Sequence, residues 1–346
     1  MFYLLKFCKY FIYFAILLPF FSFGQQIYNK TIIHDNQLRD YKMYVPPFPL
    51  ANEPIPLVFC FHGYGGNANS MMLSSSFNYI ADTAGFIVVY PQGLPLQGTS
   101  HWNVGGWTTN STVDDVGFVR SLLDTISYEY NIDSNRVYST GMSNGGYMSF
   151  LLACQLSDKI TAIASVTGSM TPQTFSQCSP ERAVPILQIH GTNDQVVPYL
   201  GASWSESINQ VLLYWTSHNN CDPFANVEPL TDINPSDGIN VERKTWLNGD
   251  YGVETEHLKV YGGGHTWFGI SGNMDINASI EVWRFFLKFK KESQVNYNNN
   301  LKNNSLKNKT LIRLSNVFGQ DIFHRKYVPL IYIYDNGEVR KKMVID

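Results

Sequence analysis

The 346-residue sequence has few charged residues, few cysteines and no internal repeat. Only 15% of its residues are charged and the formal net charge is −3, so no basic excess exists to neutralise phosphates, and nucleic acid is not an expected partner. Five cysteines are too few for a disulfide scaffold in a chain of this length. The missing repeat disfavours a solenoid or a propeller. The 44% of hydrophobic residues exclude a mainly disordered chain and predict a sizeable core.

The motifs that hold metals or nucleotides are also missing. There is no H-E-x-x-H and no paired C-x-x-C, so a zinc mechanism lacks ligands. The phosphate-binding pattern G-x-x-x-x-G-K-S/T is absent, and the glycine-rich loop at 101–107 is not of the dinucleotide-binding type. Asp114 and Asp115 are most simply explained as a helix cap. We therefore expect neither a metal nor a cofactor.

Residues 1–24 have the features of a secretory signal peptide. Two lysines precede an apolar run at 11–21, and Ser22 and Gly24 place small residues before a cleavage site at Gln25. The alternative is a membrane anchor, but a spanning helix needs about 20 apolar residues and this run is much shorter. We therefore predict a secreted protein whose remaining cysteines meet an oxidising environment.

The other end of the chain differs in composition from the middle. Residues 291–310 are rich in Asn and Lys and predict a solvated linker. Residues 311–346 have strand-like patterns around Asn336-Gly337, the strongest short signal for a β-hairpin. A tail of this length buries little core alone, so it must dock, be recognised or be removed.

Residues 25–290 alternate short apolar runs with helical patterns. PLVFCF at 56–61 and FIVVY at 86–90 are typical of buried strands, and an antiparallel hairpin is expected at 28–45. Strands that alternate with helices predict an α/β fold with one doubly wound, mostly parallel sheet. Ligands of such sheets bind outside the carboxyl ends of the strands.

The first chemical motif is Gly141-Met142-Ser143-Asn144-Gly145, which lies between a predicted strand and a predicted helix. This is G-x-S-x-G in the strand–turn–helix context of a nucleophile elbow. The glycines permit a tight turn, and the helix N-terminus stabilises developing negative charge. The alternative is a glycine-rich turn in which Ser143 only caps the helix. We expect Ser143 to be the nucleophile.

A second glycine-rich turn, HGYGG at 62–66, follows the strand PLVFCF. In hydrolases a loop at this place donates one N–H to the oxyanion, and the residue after the nucleophile donates the other. Tyr64 and Asn144 are therefore the expected oxyanion donors through their backbone. His62 is expected to be structural and to bond the loop backbone, although a plain tight turn is the alternative.

The acid and the base follow in the chain order Ser, acid, His. Asp194 comes just after the strand VPILQI, and His265 lies in GGGHTW after the strand EHLKVY. His265 would take the hydroxyl proton, and Asp194 would hold the tautomer of the imidazole. The rivals are two histidines that lie outside such glycine-rich loops and two aspartates before the last strand: His190, His218, Asp222 and Asp237.

Aromatic residues beside these loops are candidates for contact with substrate. Trp107, Trp267 and Phe268, together with Tyr64, would make a cleft suited to a flat aromatic acid or a sugar ring. For Trp102, packing of the loop onto the domain is at least as good an explanation.

Four cysteines remain after the predicted signal. Cys154 ends the helix after Ser143, and Cys178 lies in the loop before VPILQI, so a disulfide between them would tie that loop down. Cys60 lies in a buried strand and Cys221 has no obvious mate, so both are expected to be free thiols.

These motifs together resemble a known family. HGYGG, VDDVGFV, RVYSTGMSNGGYMSFLLAC, HGTNDQVVPY and GGGHTW, spread over residues 28–290, are similar to the secreted esterases that group polyhydroxybutyrate depolymerase-like enzymes with feruloyl and acetylxylan esterases. The resemblance implies an α/β-hydrolase fold and a serine esterase, with Ser143, Asp194 and His265 as its triad. One departure is Phe268, where the family usually has proline, which affects substrate shape rather than chemistry.

The tail has a resemblance of its own. LSNVFGQDI and PLIYIYDNGEVRKKMVID resemble the C-terminal sorting domain of the Bacteroidetes type IX secretion system. This implies recognition by secretion machinery and passage through the outer membrane, followed by cleavage or surface attachment. The expected organisation is a signal peptide (1–24), an esterase domain (25–290), a linker (291–310) and a sorting domain (311–346).

The expected function is hydrolysis of esters carried by a polymer. Export favours a polymer that cannot enter the cell, and no separate adsorbing domain is visible between residues 25 and 310. Feruloyl or acetyl esters of plant or algal polysaccharide are therefore preferred over polyhydroxybutyrate, and a peptidase or a hydrolase of soluble oligomers is a weaker rival. A surface binding module that kept the fold but lost activity is the alternative class, and the intact set of Ser143, Asp194 and His265 argues against it.

Overall fold

A computed structural model describes residues 26–47, 53–270 and 274–291, and the backbone of three later strands within 311–343. The predicted signal peptide and nearly all of the predicted linker lie outside the described residues.

A ten-stranded sheet forms the centre of the fold within the described part of the chain, with a two-stranded ribbon in one loop. The strands are β1 Gln26–His34, β2 Gln37–Val45, β3 Ile55–Phe61, β4 Ile87–Pro91, β5 Pro95–Leu96, β6 Thr99–Ser100, β7 Ile132–Met142, β8 Ala162–Val166, β9 Ile186–Gly191, β10 Asn226–Pro229, β11 Asn240–Trp246 and β12 Thr255–Tyr261. The helices are α1 Ala68–Ser75, α2 Phe77–Ala84, α3 Asp115–Glu129, α4 Asn144–Gln155, α5 Pro172–Gln177, α6 Ile208–His218 and α7 Ala278–Phe286, with 3-10 turns at Gly106–Thr108 and Asp250–Gly252.

The strand order of the sheet is β1-β2-β4-β3-β7-β8-β9-β12-β11-β10. The six strands from β4 to β12 run parallel, and the hairpins β1–β2 and β10–β11 pair antiparallel at the two edges. The predicted hairpin at 28–45 is present, with its turn at Asp35 and Asn36, both at positive φ. All residues of β3, β4, β8 and β9 are buried, as expected for parallel strands covered on both faces.

Helices cover both faces of the sheet. Side chains of α3, α4 and α6 belong to one core, and side chains of α1, α2 and α7 belong to the other. The predicted doubly wound, mostly parallel sheet is therefore confirmed. Since the parallel strands β3, β7, β9 and β12 end at the same edge, the four loops that carry the candidate residues emerge together there.

A covalent link ties one loop to the domain. Cys154, near the end of α4, is bonded to Cys178, which caps the end of α5. Cys60 and Cys221 are free thiols, and Cys60 is fully buried in β3.

The tail contains a separate three-stranded antiparallel sheet, formed by β13 Leu311–Asn316, β14 Pro329–Tyr334 and β15 Val339–Met343. The strands β14 and β15 pair as the sequence predicts for a hairpin, although the Asn336-Gly337 turn lies outside the described residues. The pairing of β13 with β14 adds a third strand to the expected hairpin.

Candidate active site

Ser143 lies on a sharp turn between β7 and α4. Its backbone has φ 54° and ψ −121°, a conformation that costs a non-glycine residue about 1–3 kcal/mol. Such strain persists where the surrounding structure fixes it, and the Ser143 N–H donates to the Val166 carbonyl at 2.9 Å. A Cβ on Gly145 would lie 2.2 Å from the carbonyl oxygen of Phe61, so only glycine lets the helix approach β3 this closely. The geometry is that of the predicted elbow.

The candidate acid and base are hydrogen-bonded to each other. Nδ1 of His265 lies 2.8 Å from Oδ2 of Asp194. The other carboxylate oxygen, Oδ1, accepts the N–H groups of Val196 at 2.9 Å and Val197 at 2.8 Å. This arrangement leaves Nε2 as the ring nitrogen of His265 that faces away from the acid.

The electrostatics of this pair favour a charged carboxylate. Burial of Asp194 by itself raises the pKa of its carboxyl group. Hydrogen bonds from His190, His265 and the Val197 N–H outweigh burial and hold that pKa well below its ordinary value. Asp194 is therefore ionised at neutral pH, as required of a group that stabilises an imidazolium.

The rival histidines have other partners. His190 is fully buried, and its Nε2 donates to the Val197 carbonyl at 2.9 Å and lies 3.4 Å from Oδ2 of Asp194. Through these two contacts His190, in β9, holds the loop of the acid. His218, on α6, donates to the carbonyl of Arg182 at 3.1 Å.

The glycine-rich turn after β3 lies against the candidate nucleophile. A Cβ on Gly63 would lie 3.3 Å from Cβ of Ser143, which shows how closely the two loops approach. Among the described residues, no hydrogen bond engages the N–H of Tyr64 or that of Asn144. Both backbone donors predicted for the oxyanion are thus unused by the protein.

His62 has the structural role that the sequence predicts. Its Nδ1 donates to the Gly63 carbonyl at 2.7 Å, and its Nε2 accepts the Gly93 N–H at 3.0 Å. Burial lowers the pKa of this histidine to about 4, so the ring is neutral at pH 7.

An aromatic cluster centred on Trp107 lies beside these loops. Its indole ring makes edge-to-face contacts with Tyr64 at 5.7 Å, Tyr147 at 6.0 Å and Trp204 at 6.4 Å between ring centroids. Tyr64 is 49% exposed, whereas Tyr147 is buried one helical turn after Ser143. Sequence reasoning missed Trp204 because it belongs to no motif and follows the acid by ten residues in an irregular loop.

Two of the predicted substrate contacts are wrong. Trp267 and Phe268 are 3% and 1% exposed and belong to the core beneath α7. The indole N–H of Trp267 donates to Ser279 at 2.9 Å, and its ring packs edge-on against Phe77. The chain turns inward directly after His265, so the apolar pair anchors the loop of the base instead of lining a cleft. Trp102 is fully buried as well, in agreement with the packing explanation.

Within the described residues, no three His, Cys, Asp or Glu side chains are grouped so as to hold a metal ion. The described helices include none with the length and apolar content of a membrane span.

Comparisons with known proteins find esterases. The family model described as Esterase PHB depolymerase matches residues 39–200. A bifunctional acetylxylan esterase/xylanase from Neocallimastix patriciarum is 30% identical over 76% of this chain and 35% of its own length. Feruloyl esterase B from Piromyces equi is 29% identical over 61% of this chain and 39% of its own length. The chain thus spans little more than a third of these two relatives.

A solved structure extends the likeness to the whole domain. The acetyl xylan esterase from Aspergillus awamori superposes with a TM-score of 0.55 at 17% sequence identity, covering 75% of this chain and 98% of that one. The fold of the chain is therefore that of the α/β-hydrolases. In sequence, the chain is similar to the Esterase PHB depolymerase family over residues 39–200 and to acetylxylan and feruloyl esterases.

Proposed function

We propose that this protein hydrolyses carboxylic esters through a covalent acyl-enzyme on Ser143. The observation that carries the proposal is the 2.8 Å bond between His265 and Asp194, with Ser143 strained into an elbow at the same edge of the sheet. Oγ of Ser143 attacks the ester carbonyl while Nε2 of His265 accepts its proton. The imidazolium then returns that proton to the leaving alcohol as the C–O bond breaks.

Water completes the reaction by the reverse route. It gives a proton to His265 as its oxygen attacks the acyl carbon, and the proton passes to Ser143 when the free acid leaves. Asp194 stays ionised throughout and holds Nδ1 of the imidazole. The N–H groups of Tyr64 and Asn144 bind the oxyanion of both tetrahedral intermediates, a contribution of about 10²–10³ in kcat per donor in comparable sites.

The preferred substrates are feruloyl or acetyl esters on plant or algal polysaccharide. Trp107, Tyr64 and Trp204 provide an aromatic wall beside the site, where stacking on a flat acid or a sugar ring adds about 0.5–1.5 kcal/mol per pair. The names of the relatives, acetylxylan esterase and feruloyl esterase, support the same class.

A polyhydroxybutyrate depolymerase is the second candidate. The description of the matching family favours it. So do Val196 and Leu200, whose apolar side chains are 57% and 84% exposed on the loop of the acid, where they would adsorb to solid polyester.

A panel of substrates separates the two candidates. Methyl ferulate, acetylated xylan and a polyhydroxybutyrate suspension are assayed side by side, with Ser143→Ala as the blank. Release of ferulate or acetate supports the first proposal, and clearing of the polyester without either product supports the second. A wild-type protein inactive on all three and on p-nitrophenyl acetate would support the inactive binding module.

The chain's route out of the cell is part of the proposal. The signal at 1–24 directs export, and the tail at 311–346 is recognised by secretion machinery and leaves the esterase domain (25–290) secreted or surface-attached. Removing the tail should abolish extracellular delivery and leave turnover of p-nitrophenyl acetate unchanged. A large loss of turnover would contradict a tail that acts only in sorting.

A further inference from the structure

Trp102 touches both loops that supply the proposed oxyanion donors. Its backbone N–H donates to Oδ1 of Asn144 at 2.7 Å, and the side-chain amide of Asn144 donates back to the Trp102 carbonyl at 3.1 Å. Its indole N–H donates to the carbonyl of His62 at 2.8 Å. Trp102, Asn144 and His62 are all at most 1% exposed, so water does not compete for these bonds.

Further hydrogen bonds fix the Gly63–Tyr64 peptide, which carries the Tyr64 N–H. His62, whose carbonyl accepts the Trp102 indole N–H, also donates from its ring. Its Nδ1 donates to the Gly63 carbonyl at 2.7 Å, and the Gly66 N–H donates to the same oxygen at 2.9 Å. That carbonyl shares a planar trans peptide with the Tyr64 N–H. Fixing the carbonyl therefore aims the N–H in the opposite direction.

The loop of Trp102 is anchored independently on its other side. The N–H of Asn103 donates to Oδ2 of Asp115 at 2.7 Å, and Arg39 donates to Oδ1 of the same carboxylate at 2.6 Å. This buried pair joins α3 to β2, the inner strand of the first edge hairpin. Trp102 thus connects the two donor loops to a rigid part of the domain.

We propose that Trp102 is a positioning residue that sets the distance and direction between the Tyr64 and Asn144 N–H groups. The inference rests on the proposed function, because it concerns the oxyanion site of that reaction. Donors contribute to catalysis only when they point at the oxyanion position, and small displacements are costly. Loss of the hydrogen bonds from Trp102 to Asn144 and His62 should therefore weaken binding of the tetrahedral state more than binding of the planar ester.

Trp102→Phe in the full-length protein tests this directly, since it keeps an aromatic ring and removes the indole N–H. We expect kcat for p-nitrophenyl acetate to fall about 10- to 100-fold with KM within about twofold, which is less than the loss for removing a donor. The affinity for a phenylboronic acid, which forms a tetrahedral anion on the nucleophile, should fall by the same factor.

Trp215→Phe is the matched control. Trp215 is also fully buried, but its indole N–H has no hydrogen-bond partner among the described residues. This variant should keep wild-type kcat and boronic acid affinity, whatever it loses in melting temperature. Asn144→Ala removes the hydrogen bonds to Trp102 from the other loop and keeps the backbone N–H of residue 144. It should show the same selective loss of kcat and boronic acid affinity. The loss of kcat in the double variant with Trp102→Phe should be smaller than the product of the two single losses.

The outcomes are distinct. A folded Trp102→Phe with wild-type kcat and boronic acid affinity overturns the proposal, as does an equal loss in Trp215→Phe. If Trp102→Phe does not fold, the proposal depends on Asn144→Ala, and wild-type kinetics in that variant overturn it. Turnover that survives in Ser143→Ala would overturn the proposed function instead.

Discussion

At the scale of single residues, Asp194 organises the site. Its Oδ1 accepts two backbone N–H groups and its Oδ2 faces His265 and, at 3.4 Å, His190. A buried carboxylate with this many donors is fixed in both position and charge. The sequence pattern identified Asp194 because this residue follows a predicted strand. The contact between Asp194 and a second histidine, His190, is visible only in the folded loop.

The roles of the three residues predict a ranking of losses. Ser143→Ala and His265→Ala should each lower kcat by roughly 10⁶-fold, and Asp194→Asn by roughly 10⁴-fold through the wrong histidine tautomer. Steady-state kinetics on p-nitrophenyl acetate measures the ranking, with circular dichroism as the control for folding. An Asp194→Asn variant with near-normal kcat would remove Asp194 from the triad.

At the scale of elements, close approach between α4 and β3 sets the elbow. Both glycines of the motif contribute, because a Cβ on Gly141 would lie 2.5 Å from the backbone of Gly145, and a Cβ on Gly145 would lie 2.2 Å from the Phe61 carbonyl. The G-x-S-x-G pattern predicted this packing because the chemistry of the turn is local. Contacts between distant segments, such as Trp107 with Trp204, have no local pattern.

Gly145→Ala should force the helix away from the strand. We expect the free energy of unfolding to fall by about 1–3 kcal/mol, the usual cost of overpacking, with a loss of turnover as the elbow shifts. Gly264→Ala is the control for stability, since its added Cβ meets nothing within 4 Å. Urea denaturation of both variants measures the difference, and equal stability would refute the packing argument.

The disulfide joins α4 to the short helix α5, which contacts the loop of Trp107. Closing a loop with a sequence separation of 24 contributes about 3 kcal/mol in the chain-entropy model. Cys178→Ser should lower the melting temperature clearly, whereas Cys221→Ser should change it little. Non-reducing peptide mapping that finds no link between Cys154 and Cys178 in the exported protein would contradict the pairing.

At the scale of the whole molecule, the parallel centre of the sheet and the hairpin at one edge were predictable, and the hairpin at the other edge was not. Continuous apolar runs such as PLVFCF are typical of fully buried strands, because both faces of a parallel sheet are covered. The hairpin strands β10 and β11 escaped prediction since all residues of β10 are exposed and most of β11 is only partly buried. A strand without a buried face has no alternating pattern to detect.

The candidate site was predictable where its residues lie in turns that have a recognisable sequence pattern. Ser143, Asp194 and His265 each follow a strand in a loop of small residues, which places them at one edge of the sheet. Trp267 and Phe268 were assigned wrongly because sequence proximity to His265 does not tell which way the chain turns. Their burial under α7 is decided by packing over long range.

Two buried histidines make the stability of the domain sensitive to acid. Burial lowers the pKa of His62 to about 4 and that of His257 to about 3. The unfolded chain takes up their protons below about pH 6.5, and the folded chain does so only at the lower values. Stability is therefore full above about pH 6.5 and falls as the pH drops toward 4, by up to about 1.4 kcal/mol per pH unit for each histidine.

Urea denaturation between pH 7 and pH 4 measures this slope. A His257→Gln variant cannot take up the proton, so its stability should fall less steeply than that of the wild type over the same range. Equal slopes in the two proteins would show that His257 does not contribute.

The role of Ser143 as the nucleophile is tested most directly by locating the residue with which a fluorophosphonate reacts. The reagent forms a covalent bond with the Oγ of an activated serine, and mass spectrometry of the digested protein locates the adduct. We expect one adduct, on Ser143, which forms rapidly in the wild type and is lost in His265→Ala. An adduct on another serine, or an unlabelled Ser143 in active protein, would contradict it.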